Sequence, residues 1–342
     1  MNRDQNQSQV TIPPEQQLFQ MLRGAGVARG IAAVAELGVA DLIGDRTVPV
    51  AEIARSVSSH EGALYRLLRA LASVGVFKAL PERRFENSPL SNLLRSDRIP
   101  PMRDVVRWVN SAPVWQAWGR LDISIATGRC SFEEVTGTMI FDYLAKDPAL
   151  GVVFDGAMTT FSAASTRAVV SAYDFSTATR VVDVGGGQGA LLQALVTAHP
   201  TLFGVLFDRP EVLQRVALPK ELASRVELQS GSFFERVPSG ADLYILKSVL
   251  HDWDDERCIQ ILANCAAALP AGGKLLVIEA LIADTPDSAA VKFMDLDMLV
   301  MTRGGRERER DEFAALFERA GLQLARVLPT QSMQSLLEVV KR

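Results

Sequence analysis

The chain has 342 residues, enough for two cores, with 48% hydrophobic and 22% charged residues and a formal net charge of −4 at pH 7. So mild an acidity gives no general attraction to nucleic acid or anionic lipid, and a polyanionic partner is disfavoured. No apolar run approaches the roughly 20 residues of a helical membrane span, and residues 1–17 lack the basic-then-apolar signal pattern, so a cytoplasmic location is expected.

Residues 18–42 read as a helix, because Phe19, Leu22, Val27, Ile31, Val34 and Leu37 recur at near-helical intervals. Residues 50–77 read as helix, turn, helix, with Ser58-Ser59-His60 as the break. Val74 to Phe77 and Arg84 to Glu86 then suggest a short wing hairpin. This winged-helix pattern brings DNA binding into consideration. Residues 105–173 are helical and rich in aromatic rings (Trp108, Trp115, Trp118, Phe132, Phe141, Tyr143, Phe154, Phe161). Most of these suit a core; a minority suit a flat apolar pocket.

From residue 180 strands and helices alternate. Strands are expected at 180–184, 203–207, 225–229, 242–247 and 274–279, and helices at 189–198, 210–216, 254–269 and 310–320. Two final strands, 323–328 and 333–340, form a hairpin. Helices between strands predict an α/β fold with a mostly parallel sheet and one antiparallel addition. Three segments follow: 10–104, 105–172 and 173–342.

The first strand runs into Val182-Asp183-Val184-Gly185-Gly186-Gly187-Gln188-Gly189, a turn where glycine lets backbone approach a ligand, followed by a helix N-terminus with free N–H groups. Asp208 ends the second strand, where an acid can accept both hydroxyls of a ribose. A nucleoside cofactor is expected. The turn alone does not choose between NAD and S-adenosylmethionine, since Gly185-x-Gly187-x-x-Ala190 fits the relaxed dinucleotide pattern as well.

His251 follows the apolar run 243–250, at the carboxyl end of a central strand, where open α/β sheets place ligands. A helix is expected directly after it, with Asp254, Asp255 and Glu256 in the first turn, favoured there by the helix dipole. Glu279, ending the next strand, and Glu307, after Gly304-Gly305, can converge on the imidazole and stabilise its charged form. Such help is needed. A phenol titrates near 10 and histidine near 6.5, so full proton transfer costs roughly 5 kcal/mol at ~1.4 per unit. Cys130, Cys258 and Cys265 form no Cys-x-x-Cys pair, and with only His60, His199 and His251 no cluster has zinc-ligand spacing. No metal is expected.

These segments, in this order, resemble the S-adenosylmethionine-dependent, metal-independent small-molecule O-methyltransferases, such as the plant caffeic acid and acetylserotonin enzymes and bacterial antibiotic-tailoring enzymes. The resemblance spans nearly the whole chain. It rests on the glycine turn, Phe207-Asp208-x-Pro210, His251-Asp252-Trp253-x-Asp255-Glu256 and Gly304-Gly305-x-Glu307-Arg308. It implies a Rossmann-like seven-stranded sheet and a mostly helical, winged-helix-like N-terminal domain that forms a homodimer rather than binding DNA. Arg66 and Arg69 are indeed the main basic groups on the second helix, short of a phosphate-binding face. It further implies donor contacts from Gly185, Gly187, Asp208, Ser232, Phe233 and Lys247, Ser232 standing where the family has an acid. Acceptor contacts fall to Met158, Phe161, Met294, Asp295 and Met298, and catalysis to His251 as base flanked by Glu279 and Glu307. The expected acceptor is a small aromatic hydroxyl compound. An NAD-dependent oxidoreductase and a winged-helix ligand-sensing regulator are the alternatives.

Overall fold

The computed structural model describes residues 12–98, 102–283 and 288–342. Residues 1–11, most of the segment 1–17 that lacks a signal pattern, lie outside them. The chain divides into two compact units, Met1–Asn110 and Ser111–Arg342.

The first unit carries helices Pro14–Glu36, Val39–Ile43, Val50–Ser56 and Glu61–Ser73 with a small antiparallel sheet of β1 (Val48–Pro49), β2 (Phe77–Leu80) and β3 (Arg84–Asn87), in the order β1-β3-β2. The wing is present. Leu64, Leu68 and Leu71, spaced four and three, form one buried stripe on Glu61–Ser73, each worth about 1.5–3 kcal/mol of burial. The single helix expected over 18–42 is two. Gly38 takes a left-handed backbone (φ +66°) and divides them. The apolar spacing continues across the break, so periodicity alone does not reveal it.

The second unit is built on seven strands: β4 (Arg180–Val184), β5 (Phe203–Asp208), β6 (Val226–Ser230), β7 (Leu243–Lys247), β8 (Lys274–Ala280), β9 (Leu322–Pro329) and β10 (Gln334–Lys341). Their order is β6-β5-β4-β7-β8-β10-β9. The first five are parallel, and β10 enters antiparallel between β8 and β9. Val181, Val182, Val184, Leu206, Ile245, Leu246 and Leu275 to Ile278 are all fully buried. Such unbroken apolar runs mark strands covered on both faces. The chain proceeds outward from β4 through β5 to β6, then returns to place β7 on β4's other side. Between β4 and β7 lies the switch point at which such sheets bind ligands.

Two expectations near this edge need correction. The helix after His251 does not start at once: a 3-10 turn, Leu250–Asp252, intervenes before Asp255–Ala268. The three acids also differ in role. Asp254 is the N-cap and accepts from Arg257 N at 2.8 Å, whereas Asp255 pairs at 2.8 Å with the fully buried Arg308. The helix Pro210–Leu213 is one turn long and ends short of residue 216. The helix Ala289–Met301 was not foreseen, although its Met294, Asp295 and Met298 were. No helix among the described residues is long and apolar enough to cross a membrane.

Candidate active site

Two turns meet at the switch point. The glycine turn leaves β4 and the histidine turn leaves its neighbour β7. A Cβ built on Gly185 would lie 3.1 Å from Val249 Cγ2 and 3.4 Å from Phe233 Cε1, so the two turns touch there. Gly187 has φ +58° and nothing within 4 Å of its Cβ direction, which leaves its face open. Asp208, at the end of β5, accepts from Gly187 N at 2.8 Å and from Arg209 N at 2.7 Å. Burial pushes its carboxyl above the usual range, opposed by those backbone N–H groups. Asp183 is fully enclosed, and burial raises it to about 7 against the pull of Lys247.

Phe233 packs edge-on to Trp253 (6.1 Å between centroids) and to Phe234 (4.8 Å), while Asn264 Nδ2 donates to its carbonyl. Ser232 Oγ accepts from Phe234 N at 3.3 Å, which partly occupies the oxygen expected to face an adenine. This half of the site supplies an open glycine cradle, a strand-end carboxylate and an apolar ring. Those groups fit an adenosine.

Lys247 ends β7 and donates to Ser162 Oγ at 2.8 Å; burial lowers its pKa, partly offset by Asp183 and Glu279. Ser162 lies on the helix Pro148–Ala172, as does Asp155, whose Oδ2 accepts from Gln188 Nε2 (3.1 Å) in the glycine turn and from Arg215 Nε (2.6 Å). Sequence reasoning missed Asp155, Ser162 and Gln188. Asp155 is the one acid in 25 otherwise largely apolar residues, and that isolation was the available signal.

The histidine turn is tightly held. Ser248 adopts φ +54° and its Oγ accepts from Gln334 Nε2 of β10 at 2.6 Å. Glu279, next to last in β8, uses Oε1 to accept from Val249 N (3.0 Å) and Leu250 N (2.8 Å). Its Oε2 is thereby aimed at His251 Nδ1, 3.3 Å away. Glu307 brings Oε1 to 3.1 Å from the same nitrogen. Neither contact is aligned as a hydrogen bond, and neither oxygen of Glu307 has another partner. Glu307 is positioned by Asp295, whose Oδ1 accepts from Glu307 N at 2.9 Å. The approach also needs Gly305, where a Cβ would fall 2.5 Å from His251 O. Arg308 adds bonds from Nη1 to Leu250 O (3.0 Å) and from Nη2 to Trp253 O (2.7 Å).

The structure therefore brings His251, Glu279 and Glu307 together from three elements. Burial opposes charge on the imidazole, but Glu279, Asp252 and Glu307 outweigh it and raise the ring to about 10. Burial lifts Glu279 to about 7 and Asp252 to about 6. With Nδ1 turned to two carboxylates, Nε2 is the nitrogen left for an acceptor; Asp252 Oδ1 stands 3.7 Å from it. An imidazole near 10 matches a phenol's reference value of about 10, which removes most of the cost of proton transfer.

Of the residues expected around an acceptor, Met158, Met294 and Met298 are half-buried and Phe161 is 54% exposed. Trp118 Nε1 donates to Asp297 Oδ1 at 3.1 Å, and Phe141 stacks on Trp253 at 5.8 Å. His60 caps a helix by accepting from Ala63 N, and His199 packs against Phe175. Cys258 and Cys265 are buried in one helix, and burial pushes both thiols up to about 12.

A family model described as an O-methyltransferase domain matches residues 118–323, and an O-methyltransferase dimerisation domain matches residues 19–97. Over 339 residues the chain is 40% identical to a phenazine O-methyltransferase of Lysobacter antibioticus, covering 98% of each. It is 40% identical to the mitomycin biosynthesis 6-O-methyltransferase of Streptomyces lavendulae, over 92% of this chain and 91% of that one. Among solved structures it is similar to an O-methyltransferase from neocarzinostatin biosynthesis in complex with S-adenosylmethionine and 2-hydroxy-5-methyl naphthoic acid. The TM-score is 0.79 and the identity 35%, over 92% of this chain and 96% of the other.

Proposed function

The chain belongs to the S-adenosylmethionine-dependent O-methyltransferases, and we propose that it methylates a hydroxyl of a small aromatic specialised metabolite with His251 as general base. Its donor is S-adenosylmethionine, which when bound supplies an activated methyl group. The protein's own work is alignment and proton removal. Gly185, Gly187, Asp208, Ser232 and Phe233 hold the adenosine, and Lys247 lies toward the methionine end. Met158, Phe161, Met294 and Met298 flank the acceptor ring. Asp295 acts through the Glu307 backbone that it holds. His251 Nε2 takes the hydroxyl proton, and Glu279 and Glu307 stabilise the resulting imidazolium.

The observation carrying this reading is the imidazole held between two buried carboxylates, beside the glycine cradle. The test is a mass-spectrometric search for a 14-dalton gain across phenols, phenazines, indoles and naphthoates incubated with the donor. Replacing His251 with alanine should then lower turnover by roughly 10²–10⁴ while calorimetric binding of S-adenosylhomocysteine persists. Near-normal turnover would remove His251 from the chemistry. The dinucleotide reading of the turn has nothing beyond the turn in its favour, and Arg69, lying over Tyr65, adds little to a DNA-binding face.

The N-terminal region, 10–104, acts as the dimerisation module of a cytoplasmic homodimer, with 105–172 contributing to the acceptor pocket and 173–342 binding the donor. Leu18, Phe19, Met21 and Leu22 are between 56% and 74% exposed on the helix Pro14–Glu36. An apolar patch of this kind on an isolated chain suits a protein partner, and a second copy fits the matched dimerisation domain.

A further inference from the structure

We propose that His251, Glu279 and Glu307 form a site for a transition-metal dication, and that filling it switches the enzyme off. The reaction itself needs no metal. One ligand atom from each of the three residues lies within 4.8 Å of the others. His251 Nδ1 stands 3.3 Å from Glu279 Oε2 and 3.1 Å from Glu307 Oε1. Two ligand bonds of about 2.0–2.1 Å in a tetrahedron are separated by roughly 3.3–3.4 Å, so the spacing to Glu279 is that of adjacent ligands on zinc and the spacing to Glu307 is about 0.2 Å shorter.

Chemistry agrees with geometry. The Glu279 side chain is fully buried and Glu307 is 3% exposed. Among the described residues Glu307 Oε2 is buried with neither a hydrogen-bond nor an ion-pair partner, while Nδ1, Glu279 Oε2 and Glu307 Oε1 are buried facing one another. A dication relieves buried carboxylates that crowd one point in this way. The ligands are already oriented: Glu279 Oε1 is fixed by two backbone N–H groups, and Asp295 fixes the Glu307 backbone. One imidazole and two carboxylates favour Zn²⁺, Co²⁺ or Ni²⁺ over softer ions, with at least one position open to water.

The consequence concerns the ring's tautomer. A metal on Nδ1 displaces that nitrogen's proton to solvent, and the ring's remaining proton stays on Nε2. Nε2–H cannot accept a proton from the hydroxyl. The donor cradle, on β4 and β5, is untouched, so inhibition leaves donor binding intact.

Full-length, chelator-treated protein is titrated with Co²⁺ and its visible d–d bands recorded, with Zn²⁺ as competitor. One equivalent of Co²⁺ should bind with tetrahedral-type bands and without the near-ultraviolet charge transfer of thiolate ligands. Affinity should fall at least tenfold in both Glu307→Gln and His251→Ala, each shown folded by urea melting and by S-adenosylhomocysteine binding. Saturating Zn²⁺ should lower turnover of an active phenol at least tenfold, reversibly on chelation. No saturable Co²⁺ binding, or bands that survive in both variants, overturns the site. Switching rests on the base role proposed above. Metal bound at this site without loss of turnover overturns the switching alone, whereas near-normal activity of His251→Ala overturns the base role whatever the metal does.

Discussion

Glu307→Gln removes one negative charge, held 3.1 Å from His251 Nδ1, and keeps the shape of the side chain. With about 4 Å between charge centres and an effective dielectric near 20, that charge is worth about 4 kcal/mol to the imidazolium. This is roughly 3 pK units at ~1.4 kcal/mol each, so a ring at about 10 falls to roughly 7. With His251 as the proposed base the neutral ring is the active form, so activity is lost as pH falls through the ring's pKa, and lowering that pKa moves the acid limb down. For a phenol titrating near 10, the wild-type profile is a narrow peak close to pH 10. The variant's becomes a plateau from about 7 to about 10. Its height drops, because the weaker base leaves transfer uphill; if about half of that 4 kcal/mol reaches the transition state, the loss is roughly 30-fold. The two curves therefore cross, and near neutral pH the variant equals or exceeds the parent. Measuring kcat/KM from about pH 5 to pH 11 decides the matter. A uniform loss with an unmoved acid limb would refute the reasoning and leave Glu307 as a space-filling residue.

Asp183→Asn tests the cost of a buried carboxylate. Its folded pKa is raised from 3.8 to about 7, so its stabilisation is present below about 4 and lost as pH rises through 7. The asparagine variant should gain stability progressively over that window, by at most about 4 kcal/mol, and an equal gain at pH 4 and pH 8 in urea melts contradicts this. Asp155→Ala should weaken S-adenosylhomocysteine binding by roughly 1–2 kcal/mol, because Gln188 loses its anchor; calorimetry showing unchanged affinity rules the anchor out. Leu22→Glu should shift the protein from dimer to monomer in light scattering, and an unaltered mass excludes that helix from the interface.

The central strands β7 and β8 were legible because each carries a short apolar run that only a strand covered on both faces tolerates, whereas the edge strand β6, VELQS, is largely exposed and shows itself only by its place in the alternation. His251, Glu279 and Glu307 were legible because they lie just past the end of β7, at the next-to-last position of β8 and after a glycine pair, positions that face the ligand edge. The winged-helix segment was legible from period alone. The break at Gly38 was not, because the apolar spacing runs on through it. Nor were Asp155 and Ser162, since polar residues on a helix read as a solvated face until tertiary contacts give them partners. Arg308 is fully buried, yet it lies in a run of seven charged residues, Arg306 to Glu312. Asp295 was read from the resemblance as an acceptor contact. Its bond to the Glu307 amide spans 12 residues and could not be read from spacing.

Asp155 and Ser162 lie seven positions apart, two turns along the same face of Pro148–Ala172, one fastened to Gln188 and the other to Lys247. Met158 sits between them. A substitution at Met158 thus acts on a lever with both ends fastened, and a shift of the helix there is expected to reach Gln188 and Lys247 as well. Libraries built along this helix to admit new aromatic partners should be judged on two titrations, since the apparent loss of one partner can be a loosened grip on the other.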